Sequence, residues 1–219
     1  MKICTFLSEA QRGMYENYFL SSLPPEFEIC TVYHSDDHVN PPGEYYSWGT
    51  SCPAFSERTK AKTVFMKKTC EENFGEVVVF ADADLQFFGP LKETLIQELG
   101  DLDMVCQEDD NWSASRKLCG GLMVCRCNER TLDLFGKMEE NFRCDDQVTL
   151  NDQKDRCNHK TFPKEKIFTV GHVLGRRWDK EVHFSIPSQM LVHHASWAIG
   201  IENKIKLLEI VRGRVYNKK

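Results

Sequence analysis

The sequence predicts an α/β protein: a mixed, mostly parallel sheet flanked by helices, Rossmann-like, in a single domain. Three observations predict it. First, the chain opens as strand, helix and strand over residues 3–7, 9–21 and 27–33, the opening of a doubly wound sheet. Second, the apolar run at residues 77–81 is short, rich in valine and bounded by Gly75 and Pro90. That is the pattern of a strand buried on both faces. Third, 219 residues with 41% apolar and 28% charged content suffice for a sizeable core.

The elements follow in order. Ser8 is placed to cap the first helix, and Pro24-Pro25 ends it. No G-x-G-x-x-G follows the first strand, so the dinucleotide fingerprint is absent. Residues 34–55 form a long irregular stretch containing Tyr45, Tyr46 and Trp48, suited to lie over a site or simply to be a surface insertion. A helix with a lysine-rich face is expected from 56 or 57 to 73. Lys62 is its residue chosen to reach an anionic ligand, although such a face is commonly only solvated. Further helices are expected at 91–99, 129–141 and 201–212, with strands at 103–107, 119–125, 167–170 and 190–192. Residues 171–179 read as a loop. The acidic triplet 108–110 reads as polar surface or, since it also lies at a strand end, as a second metal site, and Asp145 or Asp146 as the cap of a short helix.

Composition excludes some classes. A net charge of −5 argues against a dedicated nucleic-acid binder. The N-terminus has one basic residue and too short an apolar run for a signal peptide, and no 18-residue apolar stretch codes a transmembrane helix. A cytoplasmic location is therefore expected. Ten cysteines without a secretion signal read as reduced thiols, mostly small buried groups. No C-x-x-C pair supports a structural zinc site.

Chemistry concentrates at the end of the run 77–81, where Asp82 and Asp84 follow at once. Ligands of open α/β sheets bind beyond the carboxyl ends of strands. Two carboxylates there repel unless a cation neutralises them, and oxygen ligands suit Mg²⁺ or Mn²⁺. His193-His194 ends a later strand and offers an imidazole, which manganese tolerates better than magnesium. Gly200 and Lys204 follow, fit to meet phosphate oxygens by a backbone N–H and by charge. Gly120-Gly121 begins a buried strand and permits close backbone approach.

In this order the motifs resemble the nucleotide-diphospho-sugar transferases of the GT-A fold. The likeness rests on the N-terminal βαβ unit, Asp82-Ala83-Asp84, Gly120-Gly121, Asp146-Gln147 with Leu150-Asn151, and the segment from His194 to Lys204. The chain is also similar to the small glycosyltransferase domain of large algal (chlorella) viruses, which acts on capsid glycans. The resemblance implies a UDP-sugar donor and a glycan or glycoprotein acceptor. It implies a nucleotide-binding half at about 1–90 and a sugar and acceptor half at about 91–219. Asp84 and His194 would bind the metal, and Asp82 would touch the metal, the ribose, or both. Thr5, Phe6 and Leu7 would meet uracil and ribose with Lys62 nearby. Lys204 would neutralise the diphosphate, Asp146 would hold sugar hydroxyls, and Gln147 would lie near the anomeric carbon. It favours retention of anomeric configuration. His193 and Asp145 remain alternatives to their neighbours. A non-catalytic binding domain, a D-x-D phosphatase and a nucleotidyltransferase are the rival readings.

Overall fold

A computed structural model describes residues 1–35, 53–109, 117–174, 178 and 183–217. Most of the stretch 34–55, including Tyr45, Tyr46 and Trp48, lies outside the described residues, as does Asp110.

The central sheet has six strands: β1 (Lys2–Ser8), β2 (Glu28–His34), β3 (Val77–Ala81), β5 (Met104–Glu108), β6 (Leu118–Arg126) and β7 (His159–Thr161). Their order is β2-β1-β3-β6-β5-β7. β6 pairs antiparallel with both of its neighbours, and the other pairings are parallel, so β6 alone runs against the rest. A second sheet of three short strands has the order β4 (Leu85–Phe87), β9 (Val192–His194), β8 (Ile167–Phe168).

The valine run is a buried strand because both faces of the sheet are covered. Val78 and Phe80 join one core with Met66 and Cys70 of α2 (Pro53–Glu72) and Leu134, Phe135 and Met138 of α4 (Glu129–Glu140). Val79 and Ala81 join another with Leu95 and Leu99 of α3 (Lys92–Leu99) and Leu207, Leu208 and Val211 of α7 (Ile201–Tyr216). Alternate residues of one strand thus feed opposite cores. Phe135 is 0% exposed, and truncating such a ring to alanine costs about 3–5 kcal/mol.

Local signals set the helix starts. Asn128 accepts from Arg130 N at 3.0 Å and Thr131 N at 3.1 Å, while Thr131 Oγ1 accepts from Asn128 N at 3.0 Å, a reciprocal cap for α4. Asp145 caps α5 (Asp146–Gln153) by accepting from Val148 N at 2.6 Å.

Some expectations need correction. The first helix is helical but uneven: a 3₁₀ turn Glu9–Gln11, an α turn α1 (Arg12–Met14) and a π stretch Tyr15–Leu20. The strand expected at 167–170 stops at Phe168, and part of the expected loop is the helix α6 (Val170–Leu174). His172 Nε2 anchors that turn to Glu108 O at 2.7 Å, and Gly171 lets it lie against Trp197: a Cβ there would stand 2.4 Å from Trp197 Cγ. β4 and β7 were not expected. At three residues each they lack a periodic pattern, and distant partners supply their hydrogen bonds.

The nine described cysteines are free thiols, and seven are buried. Burial pushes the Cys106, Cys119 and Cys125 thiols up, which keeps them protonated. Among the described residues, no helix is long and apolar enough to cross a membrane.

Candidate active site

A cleft of about 510 Å³ opens where β3 and β9 end and β6 begins. β3 delivers Asp82 and Asp84 to its floor. The ladder carries on past the strand, with Asp82 N donating to Gly121 O at 2.8 Å. β4 then pairs antiparallel with β9, setting Leu85 opposite His194. Ala195 N closes the junction by donating to Asp84 O at 3.0 Å. Strand pairing alone therefore brings His194 beside Asp84.

The result is a three-residue group. His194 Nε2 lies 3.3 Å from Asp84 Oδ1 and 4.0 Å from Asp82 Oδ2. One ligand atom from each of Asp82, Asp84 and His194 lies within 4.8 Å of the others. Lys204 Nζ, one turn into α7, donates to Asp84 Oδ2, and to Ala195 O at 3.4 Å. Burial alone would raise the Asp84 carboxyl. Lys204 and His194 outweigh it and hold the group well below the carboxylate range.

His193 faces the other way. It is fully buried, its ring centroid 5.9 Å from that of Phe168, and burial lowers its pKa to about 3. Successive residues of a strand point to opposite faces, so only one member of the pair reaches the carboxylates.

Lys62 bridges the floor to one wall. Its Nζ lies 2.7 Å from Asp82 Oδ1, 2.8 Å from Asp146 Oδ2 and 3.2 Å from Gly120 O. Burial opposes its charge, but Asp146 and Asp82 prevail and raise its pKa. Two ammonium groups, Lys62 and Lys204, thus face the three carboxylates Asp82, Asp84 and Asp146. The cluster keeps negative charge, and its carboxylate and imidazole donors fit a divalent cation.

Asp146 begins α5, and the side chain of Asn151 clamps that helix to β6 through Leu118 N at 3.0 Å and Leu118 O at 2.7 Å. Gln147 Nε2 donates to Asp109 Oδ2, and Trp197 Nε1 donates to Asp109 Oδ1 at 3.1 Å. Asp109 is 5% exposed and lines the cleft, so reading 108–110 as polar surface was wrong for this residue. Burial raises its pKa, against the two donors. Its position just past an apolar strand was the available signal, the same one that marked Asp82.

The remaining expected residues divide. Phe6 lines one end of the cleft with Gln11, Phe55, Arg58 and Thr59. Arg58 Nη1 reaches Gln11 Oε1 at 3.3 Å, and sequence reasoning missed both residues. Thr5 and Leu7 are 0% exposed and do not line the cleft. Gly200 starts α7 at φ +82° and also lies off the lining. Gly120 and Gly121 line the cleft and leave room for the side chains opposite. A Cβ on Gly120 would sit 3.2 Å from Asp146 Oδ2, and one on Gly121 2.1 Å from His194 Cε1.

Solved structures that share this architecture include three glycosyltransferases. The galactosyltransferase LgtC, in complex with donor and acceptor sugar analogues, is 10% identical with a TM-score of 0.56, and the match covers 96% of each chain. A glycosyltransferase involved in glycosylation of the major capsid of PBCV-1 is 9% identical with a TM-score of 0.61, covering 95% of this chain and 100% of that one. Mouse xyloside xylosyltransferase 1 is 11% identical with a TM-score of 0.50, covering 89% and 97%. No curated protein matches by sequence. Residues 50–208 match the nucleotide-diphospho-sugar transferase family, a span that contains Lys62, Asp82, Asp84, Asp146, His194 and Lys204. The chain belongs to that family of glycosyltransferases and has the GT-A fold.

Proposed function

We propose that this chain moves a sugar from a UDP-sugar to a hydroxyl of a glycan or glycoprotein acceptor, with retention of configuration. The observation that carries the reading is the convergence of Asp82, Asp84 and His194 beside Lys204 in one cleft. Asp84, Asp82 and His194 would hold Mn²⁺, or Mg²⁺. Bound there, the ion supplies electrostatic stabilisation of the departing diphosphate.

The protein's own groups do the rest. Phe6, Gln11 and Arg58 give the cleft an aromatic and polar end suited to the base and ribose. The stretch of about 1–90 meets the base and ribose, and about 91–219 meets the sugar and acceptor while lending His194 and Lys204 to the diphosphate end. As the sugar–phosphate bond breaks, the diphosphate gains negative charge and the sugar gains oxocarbenium character. Lys204 leaves Asp84 for the diphosphate. Asp146, held by Lys62, binds sugar hydroxyls. Gln147, its amide nitrogen tied to Asp109, turns its carbonyl oxygen toward the anomeric carbon. No carboxylate nucleophile is assigned beneath the sugar, in keeping with retention through a neutral Gln147. The likeness to a capsid glycosyltransferase makes a glycoprotein acceptor in a viral setting the first to test. Free buried thiols suit the cytoplasm, the host's in that setting.

Calorimetric titration with UDP, with and without Mn²⁺, tests the site on wild type and Asp84→Asn. Binding that requires Mn²⁺ and vanishes in the variant is expected. No UDP binding by wild type in either condition refutes the donor assignment. An NMR assay of product configuration tests retention, and an inverted product rejects it.

A further inference from the structure

We infer that Gln107 is a positioning residue for the metal site, fixing which nitrogen of His194 is offered to the cation. The inference rests on reading Asp82, Asp84 and His194 as metal ligands.

Gln107 is 1% exposed and does not line the cleft. Its Oε1 lies 2.7 Å from His194 Nδ1, in a buried contact. A carbonyl oxygen only accepts, so Nδ1 carries the proton. In its neutral form the ring keeps its lone pair at Nε2. Nε2 lies 3.3 Å from Asp84 Oδ1 and 4.0 Å from Asp82 Oδ2. Three acceptors facing one another repel until a cation or a proton sits among them. Hydrogen bonding at the far nitrogen is the usual way a protein sets the tautomer and basicity of a ligating histidine.

The backbone is shaped for this contact. Pairing of β5 with β6 slips at Gln107: Cys106 faces Met123, but Gln107 faces Cys119. The bulge takes Gly120, Gly121 and Leu122 out of the β5 ladder, and bulges re-aim side chains. Here Gln107 meets the His194 ring at Nδ1 while Gly121 crowds it at Cε1. The ring is held on that side, with Nε2 beside the carboxylates.

The test compares Gln107→Leu and Gln107→Glu with wild type, each checked for fold by near-UV circular dichroism. Mn²⁺ affinity is read from the free-ion electron paramagnetic resonance signal at fixed UDP. The His194 tautomer is read without metal from ¹⁵N-histidine spectra, assigned with a His194→Asn variant. Leucine keeps the volume but removes the acceptor, and is expected to weaken Mn²⁺ binding about 10–100-fold with loss of the Nδ1-protonated tautomer. Glutamate keeps the acceptor and is expected to retain binding. A packing role predicts the reverse, since leucine suits a buried site and glutamate does not. Unchanged affinity in the leucine variant overturns the inference. So does loss in both variants with the tautomer preserved. Failure of wild type to bind Mn²⁺ instead refutes the metal reading itself.

Discussion

Gly121 packs against the Cε1 side of the His194 ring, so close that a Cβ would stand 2.1 Å from Cε1 and 2.7 Å from Nδ1. His194 is gripped by Gln107 and by β9, so it has nowhere to swing. Gly121→Ala should displace the ring and abolish Mn²⁺ binding. Overpacking of this kind costs about 1–3 kcal/mol. Mn²⁺ titration with thermal melting checks both effects, and an alanine variant with native metal affinity contradicts the geometry.

Lys204 donates to Asp84 Oδ2, so it competes with a cation for that carboxylate. Lys204→Met should tighten the binding of Mn²⁺ alone and weaken that of UDP. Breaking a buried pair from one side costs about 3–5 kcal/mol, so the metal-free variant should also melt earlier and recover more on adding Mn²⁺. Calorimetry with each ligand separately measures the two opposed shifts.

Trp197 has φ +69°, a region that few non-glycine residues occupy, and its indole holds Asp109. Trp197→Phe keeps an aromatic ring and removes the donor. An unsatisfied buried acceptor costs about 1–3 kcal/mol, so sugar transfer should fall about tenfold while Mn²⁺ and UDP affinity stay unchanged. Steady-state rates beside calorimetry show whether the loss is confined to the sugar side.

Asp103 lies outside the cleft and ties three elements together. It accepts from Asn158 N at 2.8 Å, Asn128 Nδ2 at 2.7 Å and Arg130 Nη1 at 3.3 Å. Burial raises its pKa, but these donors outweigh it, and the folded value lies below 3.8. A depressed carboxyl contributes stability that is complete above its unfolded pKa and is lost as pH falls through its folded one. Asp103→Asn should therefore be less stable than wild type at neutral pH, with the gap closing below pH 3.8. Urea midpoints across that range decide it, and a constant gap refutes the assignment.

The sheet was legible because short β-branched apolar runs bounded by glycine and proline fold as buried strands. The grouping of Asp82 and Asp84 with His194 was half legible, because two carboxylates at a strand end are costly without a cation. The choice between His193 and His194 waited on the phase of β9, which a two-residue motif does not carry. Asp145 and Asp146 separated only when one became a helix cap and the other met Lys62. Asp109 was hidden by its acidic neighbours, which look solvated until Trp197 and Gln147 are seen to converge on it. Lys62 was chosen for a ligand, yet its partners are two carboxylates from distant elements, invisible to local pattern. Short strands such as β4 leave almost no trace, although β4 is what brings His194 to Asp84.

The pairing of β4 with β9 also bears on synthesis. Asp84 and Lys204 are 120 positions apart, and His194 belongs to a strand made late. A nascent chain still lacking β9 and α7 outside the ribosome has both aspartates but neither the imidazole nor the ammonium. It should hold no ion tightly. Because metal binding is coupled to folding, the proposed site would capture its cation only after α7 has been made. Resistance of stalled chains to protease should rise with Mn²⁺ only once α7 has emerged.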